Sequence, residues 1–235
     1  MRRISWWKTN IWRWIFRRKK RWKRKRIWWK WSVKIWRWIF KWKKNGKGKE
    51  FDENGKLYFE GEFLKGERNG KGKEYDENGQ LLYVGEYLNG KINGRVKEYY
   101  FNGNLKFEGE YLNGKINGKG KEYDYNGKLL YEGEFLDGKL NGKVKEYYCN
   151  GKLLYEGEYS NGKKWNGKGY DENGNIIYEL VNGNGRVKEY NSAGKNIFEG
   201  EYLNGVRWNG KFKGYNDIGE FSFEIKYENG ELKKT

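Results

Sequence analysis

The chain has no histidine, no proline and a single cysteine among 235 residues. Without histidine, a Ser-His-Asp triad, a Cys-His pair and histidine-ligated metal sites are all excluded. A lone Cys149 excludes an intrachain disulfide, which fits a reducing compartment. It stands where sister repeats carry Glu77, Phe101 and Tyr125, and reads as a tolerated variant and not a nucleophile. No apolar run approaches the ~20 residues of a membrane-crossing helix. Charge also occupies the place where a secretory leader would be apolar. The expected location is cytoplasmic, with peripheral membrane attachment as the alternative, and no cofactor is expected.

Acid is missing from one region only. Residues 1–44 hold 19 Lys/Arg and no Asp or Glu, whereas residues 45–235 hold the other 31 Lys/Arg and all 32 acids. The net charge of +18 therefore belongs to the N-terminus, which also holds 11 of the 13 tryptophans. Two regions follow. Residues 1–44 form a basic Trp/Arg/Lys tract, expected to be disordered or helical, and residues 45–235 form a repeat array with a degenerate C-terminal cap. The tract's composition suits an anionic membrane surface or a phosphate backbone.

A second origin for the tract lies in its own rhythm. The word IWRWIF occurs at Ile11–Phe16 and again at Ile35–Phe40, at the 24-residue period of the array behind it. Tryptophan has one codon, TGG, which always gives glycine when read from its second base. With A/T-rich codons, Ile before Trp then reads Tyr, Arg before Trp reads Asp, and Lys before Trp reads Asn. Decoded in this way, Ile11–Lys43 aligns without a gap to Phe59–Lys91, apart from its Glu-Gly-Glu core. Trp7 and Trp31, forced to decode as glycine, fall on the lattice of Gly55 and Gly79. The tract reads as repeat DNA translated one base out of frame, with the slip in the A-rich codons of Lys43-Lys44-Asn45. Met1 then need not be the natural start, and nucleic-acid binding is expected only if the tract is genuine. Codons for Ile11–Lys43 that cannot encode the repeat in the second frame would refute this.

From Lys47 the units begin at Lys47, Lys71, Arg95, Lys119 and Lys143, then at Lys168, Arg186 and Lys211 with altered lengths. A fixed period of this size marks a repeat array. Each unit has two short segments, Lys-x-Lys-Glu-Tyr and Leu-x-Tyr-x-Gly-Glu-Tyr, divided by Asn-Gly words that favour type I′ turns. The fold expected is all-β: an elongated single-layer antiparallel meander of tandem 24-residue hairpins, advancing roughly 9–10 Å per unit.

Alternation along the second segment puts two aromatic rows on one face. One row is Tyr83, Phe107, Tyr131 and Tyr155; the other is Tyr87, Tyr111, Phe135 and Tyr159. Between them runs a glycine row, Gly85, Gly109, Gly133 and Gly157. Glycine weakens a strand, so its recurrence implies close approach by a ring or a backbone. Aromatic side chains lying over glycine would replace a core.

These residues carry a family resemblance. FEGEYLNGKINGKGKEY at Phe107–Tyr123, with near copies on both sides, resembles the MORN repeat, and in particular its variant with a Lys-Glu-Tyr-Tyr strand and Asn-Gly-Lys turns. The likeness covers about Lys47 to Gly230. It implies a twisted antiparallel sheet serving mainly as a scaffold for protein contacts. Some relatives lie beside membranes or carry phospholipid-related domains, and bacterial relatives of the variant are described as antitoxin-like.

A second rhythm lies inside the first. Gly72 goes with Asp76 and Gly120 with Asp124, whereas Val96 goes with Tyr100 and Val144 with Tyr148. Duplication of a two-unit block accounts for this. A sharper expectation is a partner surface with apolar patches at Val96/Tyr100 and Val144/Tyr148, roughly 19 Å apart. Trp165 and Trp208 share a Lys/Arg-Trp-Asn-Gly context and are either contact points or packing for a lengthened turn.

Glu108 and Glu110 flank Gly109, and paired carboxylates can serve acid–base chemistry. Such pairs recur in most units, whereas an active site is a single constellation, so they read as a solvated, salt-bridged surface. Asp52-Glu53-Asn54-Gly55 lacks the later bidentate Glu of a calcium loop and reads as a turn. The expected function is a non-catalytic scaffold for an unknown protein partner. Association with an anionic membrane surface, or an antitoxin-like role, is the alternative.

Overall fold

The chain divides between Lys44 and Asn45. The computed structural model describes residues 44–233, so the expectations for the Trp/Arg/Lys tract fall outside the described residues. Among the described residues all regular structure is strand, as the alternating segments and abundant glycine predict.

The strands in order are β1 Gly46–Phe51, β2 Leu57–Leu64, β3 Glu67–Tyr75, β4 Leu81–Leu88, β5 Lys91–Tyr99 and β6 Leu105–Leu112. They continue as β7 Lys115–Tyr123, β8 Leu129–Leu136, β9 Lys139–Tyr147, β10 Leu153–Ser160, β11 Lys163–Tyr170 and β12 Ile176–Leu180. The last are β13 Gly185–Tyr190, β14 Asn196–Leu203, β15 Val206–Tyr215, β16 Phe221–Glu228 and β17 Glu231–Lys233. Every neighbour in sequence is a neighbour in space. β1 to β12 make one antiparallel sheet of twelve strands, and β13 to β17 a second of five.

The Asn-Gly words do three different jobs. Asn113-Gly114 has φ of 53° and 86°, the paired positive values of a type I′ hairpin turn. In the wider turn Asp76–Gly79 only glycine takes a positive φ, and Asp76 Oδ1 accepts from the N–H groups of Asn78 and Gln80, both at 2.8 Å. Asp52 holds its own turn in the same way, which is what its acidic side chain does there. The third kind of glycine lies at a strand irregularity. Gly118 has φ of 105°, and the carboxylate of Glu110 lies over it.

The asparagine before that third glycine ties one unit to the next. Asn93 Oδ1 accepts from Asn113 N at 3.0 Å, while Gly114 N donates to Ile92 O at 2.8 Å. Both N–H groups of the I′ turn are thus satisfied by the preceding hairpin. The pattern recurs at Asn141 with Asn161, and at Asn209 with Asn229.

One shortened unit separates the two sheets. Between Tyr178 and Val187 the chain lacks the usual Gly-Glu-Tyr-Leu strand end, and the hairpin shrinks to a single bridge, Val181 to Asn184. The turn ladder runs through the gap. Gly183 N donates to Trp165 O at 2.7 Å, and Gly205 N donates to Gly183 O at 2.8 Å.

Candidate functional site

The aromatic rows occupy one face, called here the inner face. Phe107, Tyr155, Tyr87, Tyr111, Phe135 and Tyr159 are buried, while Tyr83 and Tyr131 are half-buried. A Cβ on Gly109 would lie 2.6 Å from Gly120 Cα and 2.7 Å from the edge of the Phe107 ring. A side chain there would force backbone apart, so the rings lie directly on glycine. Edge-on contacts link them along the array, with Phe107 centred 5.7 Å from Tyr111 and 5.6 Å from Phe135. Such pairs contribute about 0.5–1.5 kcal/mol each beyond burial.

Val96 and Val144 stand where Gly72 and Gly120 lie under the Phe59 and Phe107 rings in the alternate units, and both are buried. Tyr148 is fully buried and donates its hydroxyl to Tyr170 O at 2.8 Å; Tyr100 is half-buried and donates to Tyr123 O at 2.9 Å. The expectation of apolar patches presented to a partner is corrected at Val96, Val144 and Tyr148, because these groups are packed core. Tyr100 and Tyr148 also do not continue a strand. Each opens a wide turn, where Asp76 and Asp124 stand in the alternate units, and ties that turn to the backbone of the next hairpin. The two-unit rhythm is thus a rhythm of packing.

Trp165 is half-buried at the β10–β11 irregularity, its ring 2.8 Å from where a Cβ on Gly183 would lie. Trp208 stands in the same way against Gly230, at 3.1 Å. Both pack on the turn glycine of the following hairpin. Of the two expectations for them, packing against a turn describes the geometry.

The opposite face is open and carries cross-strand ion pairs. Lys97 meets Glu108 at 3.3 Å, Lys121 meets Glu132 at 3.2 Å, and Lys145 meets Glu156 at 3.1 Å. Tyr123 also donates to Glu108 at 3.0 Å. Of the pair considered for acid–base chemistry, Glu108 is therefore engaged by Lys97 and Tyr123, while the exposed Glu110 lies over Gly118. Water and salt screen exposed pairs of this kind, so each contributes little to stability.

A second line of carboxylates was not anticipated. The Glu of each Lys-Glu-Tyr word lies two residues beyond the Gly/Val slot, so it shares the inner face with the aromatics. The line runs Glu50, Glu74, Glu98, Glu122, Glu146 and, after the shortened unit, Glu189. Cations meet it at three places, from Arg68 just before a third-type Asn-Gly and from Lys164 and Arg207 just before the Trp that precedes one. Arg68 Nε donates to Glu50 at 3.0 Å, and its Nη1 pairs with Glu74. Its guanidinium lies 4.0 Å from the Phe59 ring centre. Lys164 bridges Glu146 at 3.2 Å and Glu189 at 3.6 Å, 4.7 Å from the Tyr155 ring centre. Arg207 binds Glu189 at 2.9 Å and lies 5.1 Å from the Phe198 ring centre. The signal was present in the sequence as Arg68, Lys164 and Arg207 in a slot that holds Ile92, Ile116 and Leu140 elsewhere.

Burial sets the charge states at this seam. It disfavours the Lys164 ammonium, but Glu146, Tyr178 and Glu189 outweigh it and hold the group well above the ordinary lysine range. Burial also works against the Glu189 carboxylate, which Lys164 and Arg207 nonetheless hold below the usual range. Glu146 is driven upward by desolvation, against the pull of Lys164.

Tandem antiparallel hairpins whose aromatic face rests on glycine define a β-repeat protein of open-sheet type. The model described as the MORN repeat variant matches residues 44–65, 92–113 and 140–161, and the model described as the MORN repeat matches residues 59–81, 107–128 and 155–169. The chain is a MORN-repeat protein. Both sets of matches recur every 48 residues, the period of the two-unit packing rhythm. No curated protein matches the chain in sequence.

Proposed function

We propose that this chain is a non-catalytic scaffold that binds a protein through the inner face of its twelve-stranded sheet. The observation that carries this reading is the middle of that face. Tyr83, Ile92, Ile116, Tyr131 and Leu140 are all half-buried there, in a single layer that nothing else in residues 44–233 covers. Half-exposed aromatic and aliphatic groups on a rigid sheet are the usual makings of an interface centre. MORN repeats are generally non-enzymatic, and Glu108, Glu132 and Glu156 of the open face are each tied to a cross-strand lysine.

Affinity capture with tagged full-length chain and with residues 45–235 tests the reading. The same protein should be retained by both, and Tyr83→Ser with Ile92→Ser should lose it. Capture that depends on residues 1–44, or binding to anionic vesicles or duplex DNA in its place, would overturn it.

A further inference from the structure

Three successive blocks of 48 residues place one slot in three versions. In the first, Arg68 lies between Glu50 and Glu74 over Phe59. In the third, Lys164 lies between Glu146 and Glu189 over Tyr155. In the middle block the same position is Ile116, with Glu98, Glu122 and Phe107 at the equivalent places. The ring and both carboxylates are kept, but the cation is replaced by an alkyl group.

The two middle carboxylates fare differently. Glu98 recruits Lys106 at 2.6 Å and accepts from the hydroxyls of Tyr111 at 3.1 Å and Tyr83 at 3.3 Å. Among the described residues no ion pair or hydrogen bond engages Glu122, and the field of Lys106, already bound to Glu98, is the one cationic influence on it. Glu122 is half-buried, paired in register with Phe107 on one side and Tyr131 on the other. A carboxylate held in such surroundings without a partner is costly to the fold. The sheet face around it is open and apolar. A positively charged group arriving from outside would find a layout that the chain itself uses to hold arginine and lysine.

The geometry points to the middle block as a docking site for a basic peptide, one of whose arginine or lysine side chains seats against Glu122 and Glu98 beside Ile116. Its charge supplies what Arg68 and Lys164 supply in the flanking blocks, and its stem lies on Ile116 and Tyr131. This names the chemistry of the partner and rests on the scaffold reading above. Arginine fits better than lysine, since a planar guanidinium can donate to two carboxylates at once.

The test uses full-length chain and a fluorescein-labelled twelve-residue peptide of alternating arginine and leucine, followed by fluorescence anisotropy. Replacing arginine by neutral citrulline should weaken binding by about tenfold to a hundredfold, the range for a hydrogen bond to a charged group. Glu122→Gln should weaken it comparably, while Glu132→Gln on the opposite face leaves it unchanged. Ile116→Arg is the sharper variant. It supplies the missing cation from within, so it should abolish peptide binding while the melting temperature stays at or above that of the native chain. Equal affinity for the arginine and citrulline peptides, or undiminished binding by Ile116→Arg, overturns the proposal. Binding that survives Glu122→Gln and Ile116→Arg but fails with Tyr83→Ser and Ile92→Ser overturns the cation seat and leaves the scaffold reading intact. Failure of partner capture overturns the scaffold reading itself.

Discussion

From β2 to β10 each unit keeps 24 residues, each hairpin pairs on both sides of one bulge, and the inner face is packed by rings on glycine and by Val96 and Val144. Around β12 to β14 a unit is shortened, strand pairing falls to one bridge, and the inner face is closed by Glu146, Lys164, Glu189 and Arg207. The two regions share the turn ladder and a continuous apolar cluster from Val144 to Phe198. The difference teaches that strand pairing is the dispensable link between these units. Turn-to-turn hydrogen bonds and inner-face contacts carry the array across a place where the sheet itself is interrupted.

The largest expected effect is at the seam. Lys164→Met would leave Glu146 and Glu189 buried without their shared cation and should cost about 3–5 kcal/mol in chemical denaturation. Arg68→Met, at the more open end of the regular sheet, should cost clearly less, and equal costs would erase the difference between the two regions.

Next is the tyrosine pair. Tyr148→Ser empties a fully buried site beside the second sheet and should cost about 3 kcal/mol, whereas Tyr100→Ser at its half-buried counterpart should cost about 1 kcal/mol. Glycine in the regular region gives a smaller effect. Gly109→Ala must push Gly120 or Phe107 aside and should cost roughly 1–3 kcal/mol.

The two regions should also answer pH in opposite senses. Glu189 is held low, so the stability it provides is present above the ordinary glutamate range and is lost as pH falls through its depressed value. Glu122 is pushed up by burial, so its cost appears as pH rises above the ordinary glutamate range and is relieved by acid. Melts from neutral to acid pH should therefore show Glu189→Gln below the native chain and Glu122→Gln at or above it at pH 7. Both gaps should narrow on acidification. The smallest effect is on the open face, where Glu108→Gln should cost about 0.2–1 kcal/mol and vanish in high salt.

Much of this architecture was legible from residue order. Asn113-Gly114 announced its hairpin turn, and the alternation of Tyr83, Gly85 and Tyr87 announced the face that packs. Val96, Tyr100, Val144 and Tyr148 were legible as a rhythm, but their direction was not. Tyr148 looks like a strand residue four places after Val144, yet the strand ends at Tyr147 and the side chain turns into a neighbouring hairpin. The cation slot was equally hidden, because Arg68 meets Glu50 across 18 residues and Lys164 meets Glu189 across the shortened unit.

The order of residues by itself determined the hairpin repeat, its period and the composition of each face, because turn chemistry and strand alternation act over a few neighbours. Only the tertiary structure decided that the shortened unit breaks the sheet, which carboxylates receive a cation and which one is left open. Those outcomes depend on groups that meet across two strands, and on how much water remains around them once they do.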